Sequence, residues 1–494
     1  MAVGSNPWAL TPLVARGPGV ETGNLYSAAT RRTGLVALTD LAPTVLATLG
    51  VPSPRRLVGA ALQVDSGPPA PAEHARLDSV DRYRQSIHTT TVATFVVFQL
   101  LVYGCVARWR RAGRHHGRRC SPACDDPGDP DRWREALRLA VIAVAAFPLA
   151  TFLFRPAEFA IGWGLNGLWV LLGIDVALVA ATMFGGLRRR ARTRPLEPLG
   201  WIMAATAAVI AIDVALGGHL QLASVMGYHP QVAGRFYGIG NAAFAVLAGA
   251  TLLAGAIHLE HAPRKGEALV SVFSLFALVA WVDGAPGVGD DVGGLLSLVP
   301  VLTLTLWAFS GRRITWKGAV AAVVLTVAAL SLAAVADLAR GSGQEAHLGR
   351  LVRLVGEEGI GPVAATISRK AGTSIGILGA SPWNFLAPLT ALVVAVAALR
   401  SGRPSGPRSG EQSSDSLLAL GSPRRAGMVA TLAVGFLGAL VNDSGVVITA
   451  LILAFVGVFG STIAIQAGGQ ALPALLAPLT PPKMVTADGR GARS

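Results

Sequence analysis

The sequence predicts an all-α, polytopic membrane protein with about eleven transmembrane helices, preceded by a short segment that is not membrane-like. Two observations carry this. Charged residues make up 14% of the 494 and hydrophobic residues 52%, with a mean hydropathy of +0.53, whereas soluble domains carry about a quarter charged residues. The deficit is uneven: apolar stretches long enough to cross a bilayer, which must be helices because lipid cannot satisfy a bare backbone, alternate with short arginine clusters. The second observation is where those clusters fall.

The spans read as residues 88–106, 136–154, 164–184, 200–216, 240–257, 267–282, 291–309, 318–336, 381–399, 426–441 and 445–465. With the segment after the first span cytoplasmic, successive cytoplasmic loops hold 8, 5, 2, 3 and 5 Lys+Arg. The short opposite loops near 155–163, 217–239, 283–290 and 442–444 hold 1, 1, 0 and 0. That is the positive-inside pattern. It makes the N-terminus extracytoplasmic and residues 466–494 a cytoplasmic tail. It also explains the net charge of +14 by topology, which leaves membrane lipids rather than nucleic acid as the partner. Only four of the 42 basic residues are lysine, a skew that fits a GC-rich bacterial gene. Cys105, Cys120 and Cys124 lie in or beside the first cytoplasmic loop, so no disulfide framework follows. His115, His116, Cys120 and Cys124 match no standard zinc spacing, and reduced thiols are expected.

Residues 1–87 carry no basic start followed by an apolar core, so they do not read as a signal peptide. Within them, "TDLAPTVLATLGVP" predicts a short helix. Thr39 or Asp40 caps it, Pro43 sits in its first turn, Leu46, Leu49 and Val51 pack inward, and Gly50 stops it. Together with "LTPLVARGPGVETGNLYSAATRRTGLVAL" before it and Gly59 to Leu62 after it, this resembles the last part of an alkaline-phosphatase/sulfatase superfamily domain. The resemblance implies a small N-terminal α/β fragment over residues 1–65. That superfamily's nucleophile and most of its metal ligands belong upstream of this portion, and Trp8 and Ala9 stand where a late histidine ligand often falls. The fragment is therefore expected to be a remnant without phosphatase activity. Residues 66–87, rich in proline and polar groups, read as a linker, and 88–465 as the transmembrane domain.

Chemistry-bearing residues collect in the outward loops. "GYHPQVAGRFYGIGN" holds Arg235, Tyr237 and Asn241. Its plain reading is interfacial anchoring, with Arg235 snorkelling and Asn241 capping the next helix. "WVDGAPGVGDDVGG" holds Asp283, Asp290 and Asp291 among five glycines, and "VNDSG" holds Asn442 and Asp443. Carboxylates at a membrane boundary need a cation, a metal or an arginine. Asp283, Asp290 and Asp291 would suit a divalent cation, the candidate cofactor, with Asp290 and Asp291 as its ligand pair; an Asp–Arg network tying helices together is the alternative. After the eighth span come His347, Arg350, Arg353, Arg369 and Lys370. Here Leu348, Leu351, Val352 and Val355 form one apolar helical stripe. Such a helix either anchors to anionic lipid or aims His347 and the arginines at phosphate. Asp175, isolated within the third span, is either functional or a protonated helix–helix contact.

Residues 88–465 resemble, in "GRFYGIGN", "WVDGAPGVGDDVGG", "HLGR" and "NDSG", a bacterial membrane module that follows alkaline-phosphatase-like external domains. The resemblance implies a cell-envelope role and no particular reaction. The outward Arg/His cluster is similar in general arrangement to that of polytopic glycan ligases and polymerases acting on polyprenyl-phosphate-linked substrates. A membrane glycan or phosphoglycan transferase would use His347, Asp283 and Asp290 as catalytic groups. Arg235, Tyr237, Asn241, Arg350, Arg369, Lys370, Asn442 and Asp443 would then bind substrate, stabilising a leaving pyrophosphate electrostatically. A transporter or flippase, supported by Asp175 and the glycine-broken segments, and a scaffold for an external phosphatase-like domain are the rival readings.

Overall fold

The structure is a computed structural model that describes residues 10–116, 130–184, 194–340, 347–359 and 422–466, excepting 18–19, 55–56, 58, 69, 156, 233–234 and 443–444, and singly 361, 365, 368 and 372. It is mostly helical. Among the described residues ten helices are long and apolar enough to cross a membrane, beside one small sheet.

The sheet comprises β1 (Asn24–Ser27), β2 (Arg32–Thr33) and β3 (Gln63–Asp65) in the order β2-β1-β3, both pairings antiparallel. A tight turn joins β1 to β2, closed by Arg31 N–H donating to Ser27 O at 2.8 Å, with Arg31 at φ +53. The predicted helix is α1 (Leu41–Thr48), with Pro43 buried in its first turn and Gly50 ending it at φ +65. Asp40 does not cap it. Its buried carboxylate accepts instead from Ser27 Oγ at 2.6 Å, Ala37 N at 3.0 Å and Ala60 N at 3.1 Å. Thr44 adds a bridge from α1 to Leu62 N. This network turns the Pro43–Thr44 face inward, so the expected packing fails for Leu49 and Val51, which are exposed.

A second correction concerns the expected linker. α2 (Pro71–His116) is one helix of 46 residues, starting at a proline whose missing N–H costs nothing in a first turn. Its polar part is helical because its charges find partners, as described below. There follow α3 (Pro130–Leu153), α4 (Leu168–Phe184), α5 (Glu197–Ala215), α6 (Asn241–His261), α7 (Lys265–Gly284), α8 (Val292–Phe309), α9 (Trp316–Leu338), α10 (His347–Glu358), α11 (Pro423–Val441) and α12 (Gly445–Gln466). The expected span at 381–399 lies outside the described residues.

α6 is the buried centre, packed by α5, α7, α11 and α12. Small residues let backbones approach there: Gly427 faces Ala256, Gly435 faces Ile452, and Gly438 faces Ile448 and Phe244. α4 and α9 lie at the rim and expose apolar side chains such as Leu172, Val176, Val320, Val323 and Leu332. The 217–240 and 285–291 loops lie against the sheet, with the turn at Asn442 beside them; we call this the sheet end.

Candidate functional site

Two adjacent arginines, Arg31 in the β1–β2 turn and Arg32 at the start of β2, build the first part of the site. Arg31 Nη1 donates to Asp290 Oδ2 at 2.6 Å, and its guanidinium lies 4.0 Å over the Tyr237 ring. Arg32 reads backbone: Nε donates to Phe236 O at 2.6 Å, and Nη2 to Gly217 O at 2.9 Å and to the Tyr228 hydroxyl at 3.2 Å. Burial pushes the Tyr228 hydroxyl above its ordinary value, against the pull of the Arg32 guanidinium.

The 217–240 loop is held at both ends. Asp213, at the end of α5, accepts from Leu220 N at 2.6 Å and Gln221 Nε2 at 3.3 Å. Gln221 Oε1 in turn accepts from Gly240 N at 3.0 Å. Gly240 is thus the residue before α6, and Asn241 is its first helical residue, not the expected cap. Gly238, at φ +72, lies directly on the Gly289 carbonyl, where a Cβ would collide. That carbonyl accepts from Ile239 N at 3.0 Å and from Arg235 Nη1 at 3.3 Å. The two glycine-rich loops are therefore stitched to each other, and Arg235 belongs to the seam.

The acidic residues address different partners. Asp290, in the left-handed region at φ +52, accepts from Arg31 and from Gly287 N at 3.0 Å. Asp291, at the residue before α8, places Oδ1 3.9 Å from Arg235 Nη2, beyond hydrogen-bond distance. The expected Asp290/Asp291 metal pair is therefore divided between two arginines, and among the described residues no group of three His, Cys, Asp or Glu is placed to hold a metal. Asp283, in the last turn of α7, is 0% exposed, and neither carboxylate oxygen has a hydrogen-bond partner. Asp291 and Arg235 are the charges acting on it. Its carboxylate lies against Gly294 and the Asn442 amide against Gly293, so the first turn of α8 is flanked from α7 and α11.

α10 starts beside this region: Asp337 accepts from Gly349 N at 2.8 Å, and Leu348 packs with Leu295, Val299 and Ala333. Leu351 and Val355 are half-buried while Val352 is exposed. The side chains of His347 and Arg350, and residues Arg369, Lys370 and Asp443, lie outside the described residues. Asp175 is buried within α4, its Oδ1 without a hydrogen-bond partner.

Sequence reasoning missed Arg31 and Arg32. Nothing local ties "ATRRTG" to loops two hundred residues away; the adjacent arginines in the N-terminal segment were the sole signal. It also missed a stripe on α2. Asp81 Oδ1 pairs with His229 Nδ1 at 2.7 Å, and fully buried Arg84 donates to Phe154 O at 2.6 Å while lying 3.9 Å over the Phe154 ring. Beside it, Arg155 Nη1 donates to Glu158 Oε1 at 2.7 Å, and Arg76 pairs with Glu158 as well. No protein-family model, curated protein or solved structure matches the chain.

The chemistry open to this end is anion binding by arginine. Arg31 and Arg32 are committed to protein acceptors. Arg235 has five N–H donors, one carbonyl at 3.3 Å and a side chain about a quarter exposed.

Proposed function

We propose that the chain is a multi-pass membrane protein of a bacterial cell envelope, with the sheet end extracytoplasmic and the C-terminus cytoplasmic. Its Arg235 site binds the phosphate of a lipid-linked glycan substrate such as a polyprenyl phosphate. The broad apolar faces of α4 and α9 support insertion, since such surface is what lipid covers, and the alternation of arginine clusters supports the orientation. The single observation that carries the phosphate reading is Arg235 itself. It is bonded to the seam between the two glycine-rich loops, keeps donors to spare, and is partly open to the surface. A planar fork so held grips a phosphate bidentately.

The test is equilibrium binding of a polyprenyl phosphate to the full chain in lipid nanodiscs, beside the phosphate-free polyprenol. Arg235→Lys should weaken phosphate binding about tenfold, the effect of losing one charge-assisted hydrogen bond, and leave polyprenol unaffected. Equal binding of the two lipids, or an Arg235→Lys variant indistinguishable from the parent, would refute the reading. A transporter or flippase is the second reading, favoured by Asp175, an ionisable group buried inside a span.

A further inference from the structure

We infer that Asp283 and Asp291 together hold one monovalent metal cation of sodium size on the inner side of Arg235. The inference deepens the reading of the sheet end as a binding site but does not depend on the anion bound there.

Its first support is the pair of side chains. Asp283 is 0% exposed and Asp291 3%, and Asp283 Oδ1 and Oδ2 and Asp291 Oδ2 have no hydrogen-bond partner. Carboxylates so buried are paired or bind a cation. Arg235, 3.9 Å from the other oxygen of Asp291, supplies one positive charge against two negative ones. Asp290 and Arg31 balance each other. One further positive charge closes the count, whereas a divalent ion would leave an excess in a place where unbalanced charge is costly. A divalent ion also demands a fuller set of oxygen ligands, and the described residues place no third acidic or imidazole group there.

The second support is backbone. Asp283 sits at the C-terminal end of α7, where the macrodipole is negative, and its carbonyl accepts from Asp291 N at 3.1 Å, which ties the two acidic residues together. Interrupted helices use such ends to coordinate sodium. Glycine lets the backbone pack directly against these oxygens. A Cβ at Gly294 would overlap the Asp283 carboxylate, and one at Gly289 would overlap the carbonyls of Val282 and Asp283.

The experiment is thermal unfolding of the full chain in detergent, in choline chloride replaced stepwise by NaCl, KCl or LiCl at constant ionic strength and pH. Sodium should raise Tm saturably, by on the order of 3–5 °C at a hundred times its Kd, with a smaller effect of potassium. Asp283→Asn and Asp291→Asn should abolish the response, while Asp175→Asn, which alters a buried carboxylate elsewhere, should keep it. Equilibrium binding of radioactive sodium to the parent chain provides a second readout that needs no variant. A Tm that ignores alkali cations and follows pH alone would assign the charge to a proton and overturn the inference. Magnesium or calcium acting at lower concentration than sodium, or a sodium response surviving in Asp283→Asn, would also overturn it. Arg235→Lys separates the two proposals, because loss of polyprenyl-phosphate binding with an intact sodium response touches the anion site alone.

Discussion

Replacing Arg31 by alanine should release the small sheet from the bundle. The change strips a guanidinium from Asp290, whose side chain is 3% exposed, while that of Arg31 is 15% exposed. Removing one partner of a buried pair costs about 3–5 kcal/mol. The partial exposure of Arg31 lowers this to about 2–3 kcal/mol, and loss of the stacking on Tyr237 adds about 0.5–1 kcal/mol. A total near 3 kcal/mol shifts the docking equilibrium by roughly 150-fold. Hydrogen exchange reads this directly, because the Gly34 amide donates to Leu25 O across the hairpin and should lose protection as the sheet undocks and frays. A double-mutant cycle with Asp290→Asn isolates the pair, with an expected coupling of about 2 kcal/mol. Unchanged exchange in Arg31→Ala, or a coupling below about 0.5 kcal/mol, would refute the claim that this pair fastens the sheet.

Gly294→Ala should destabilise by about 1–3 kcal/mol through overpacking against Asp283, whereas Gly266→Ala, with open space around it, should be neutral or stabilising by up to about 1 kcal/mol; thermal unfolding compares them. Glu158 is buried in part, which alone would raise its carboxyl, but hydrogen bonds from Arg155 and Arg76 outweigh this and hold it below its ordinary 4.5. Its contribution to stability is therefore present above pH 4.5 and lost as pH falls below it, so Glu158→Gln should flatten the acid limb of an unfolding-versus-pH curve. In a background lacking Cys105, Cys120 and Cys124, an impermeant thiol reagent on intact cells should label His219→Cys and not Arg313→Cys, and the reverse pattern would invert the proposed topology.

The helical bundle was legible because lipid-length apolar runs and arginine spacing are properties of local sequence, and the described helices overlie the expected spans closely. Arg235, Asp283 and the Gly289 segment were singled out for the same reason: polar groups and glycines are conspicuous beside apolar runs. Their partners were not. Asp290 reads equally as a metal ligand or an arginine partner until Arg31 is placed 259 positions away. Asp81 and Arg84 lie in a stretch whose prolines and charges resemble a linker, and only contacts with His229 and Phe154 make it a buried helix face. α1 failed differently. Its apolar residues allow two inward faces, and the Asp40 hydrogen bonds, which join three separate segments, choose the one that leaves Leu49 outside.

Arg32 addresses four atoms of the 217–240 loop, and three are main-chain carbonyls, at Gly217, Gly218 and Phe236. Every amino acid supplies a carbonyl, so this contact recognises the path of the loop and not the identity of the side chains along it. Phe236 can therefore be exchanged without disturbing its hold on Arg32, while Arg32 itself has no substitute of equal reach and fork. Variation is thus channelled to positions such as Phe236, while Gln221, Tyr228 and Gly238 on the same loop stay tied to their own contacts and only the carbonyl path is left for the arginine to hold.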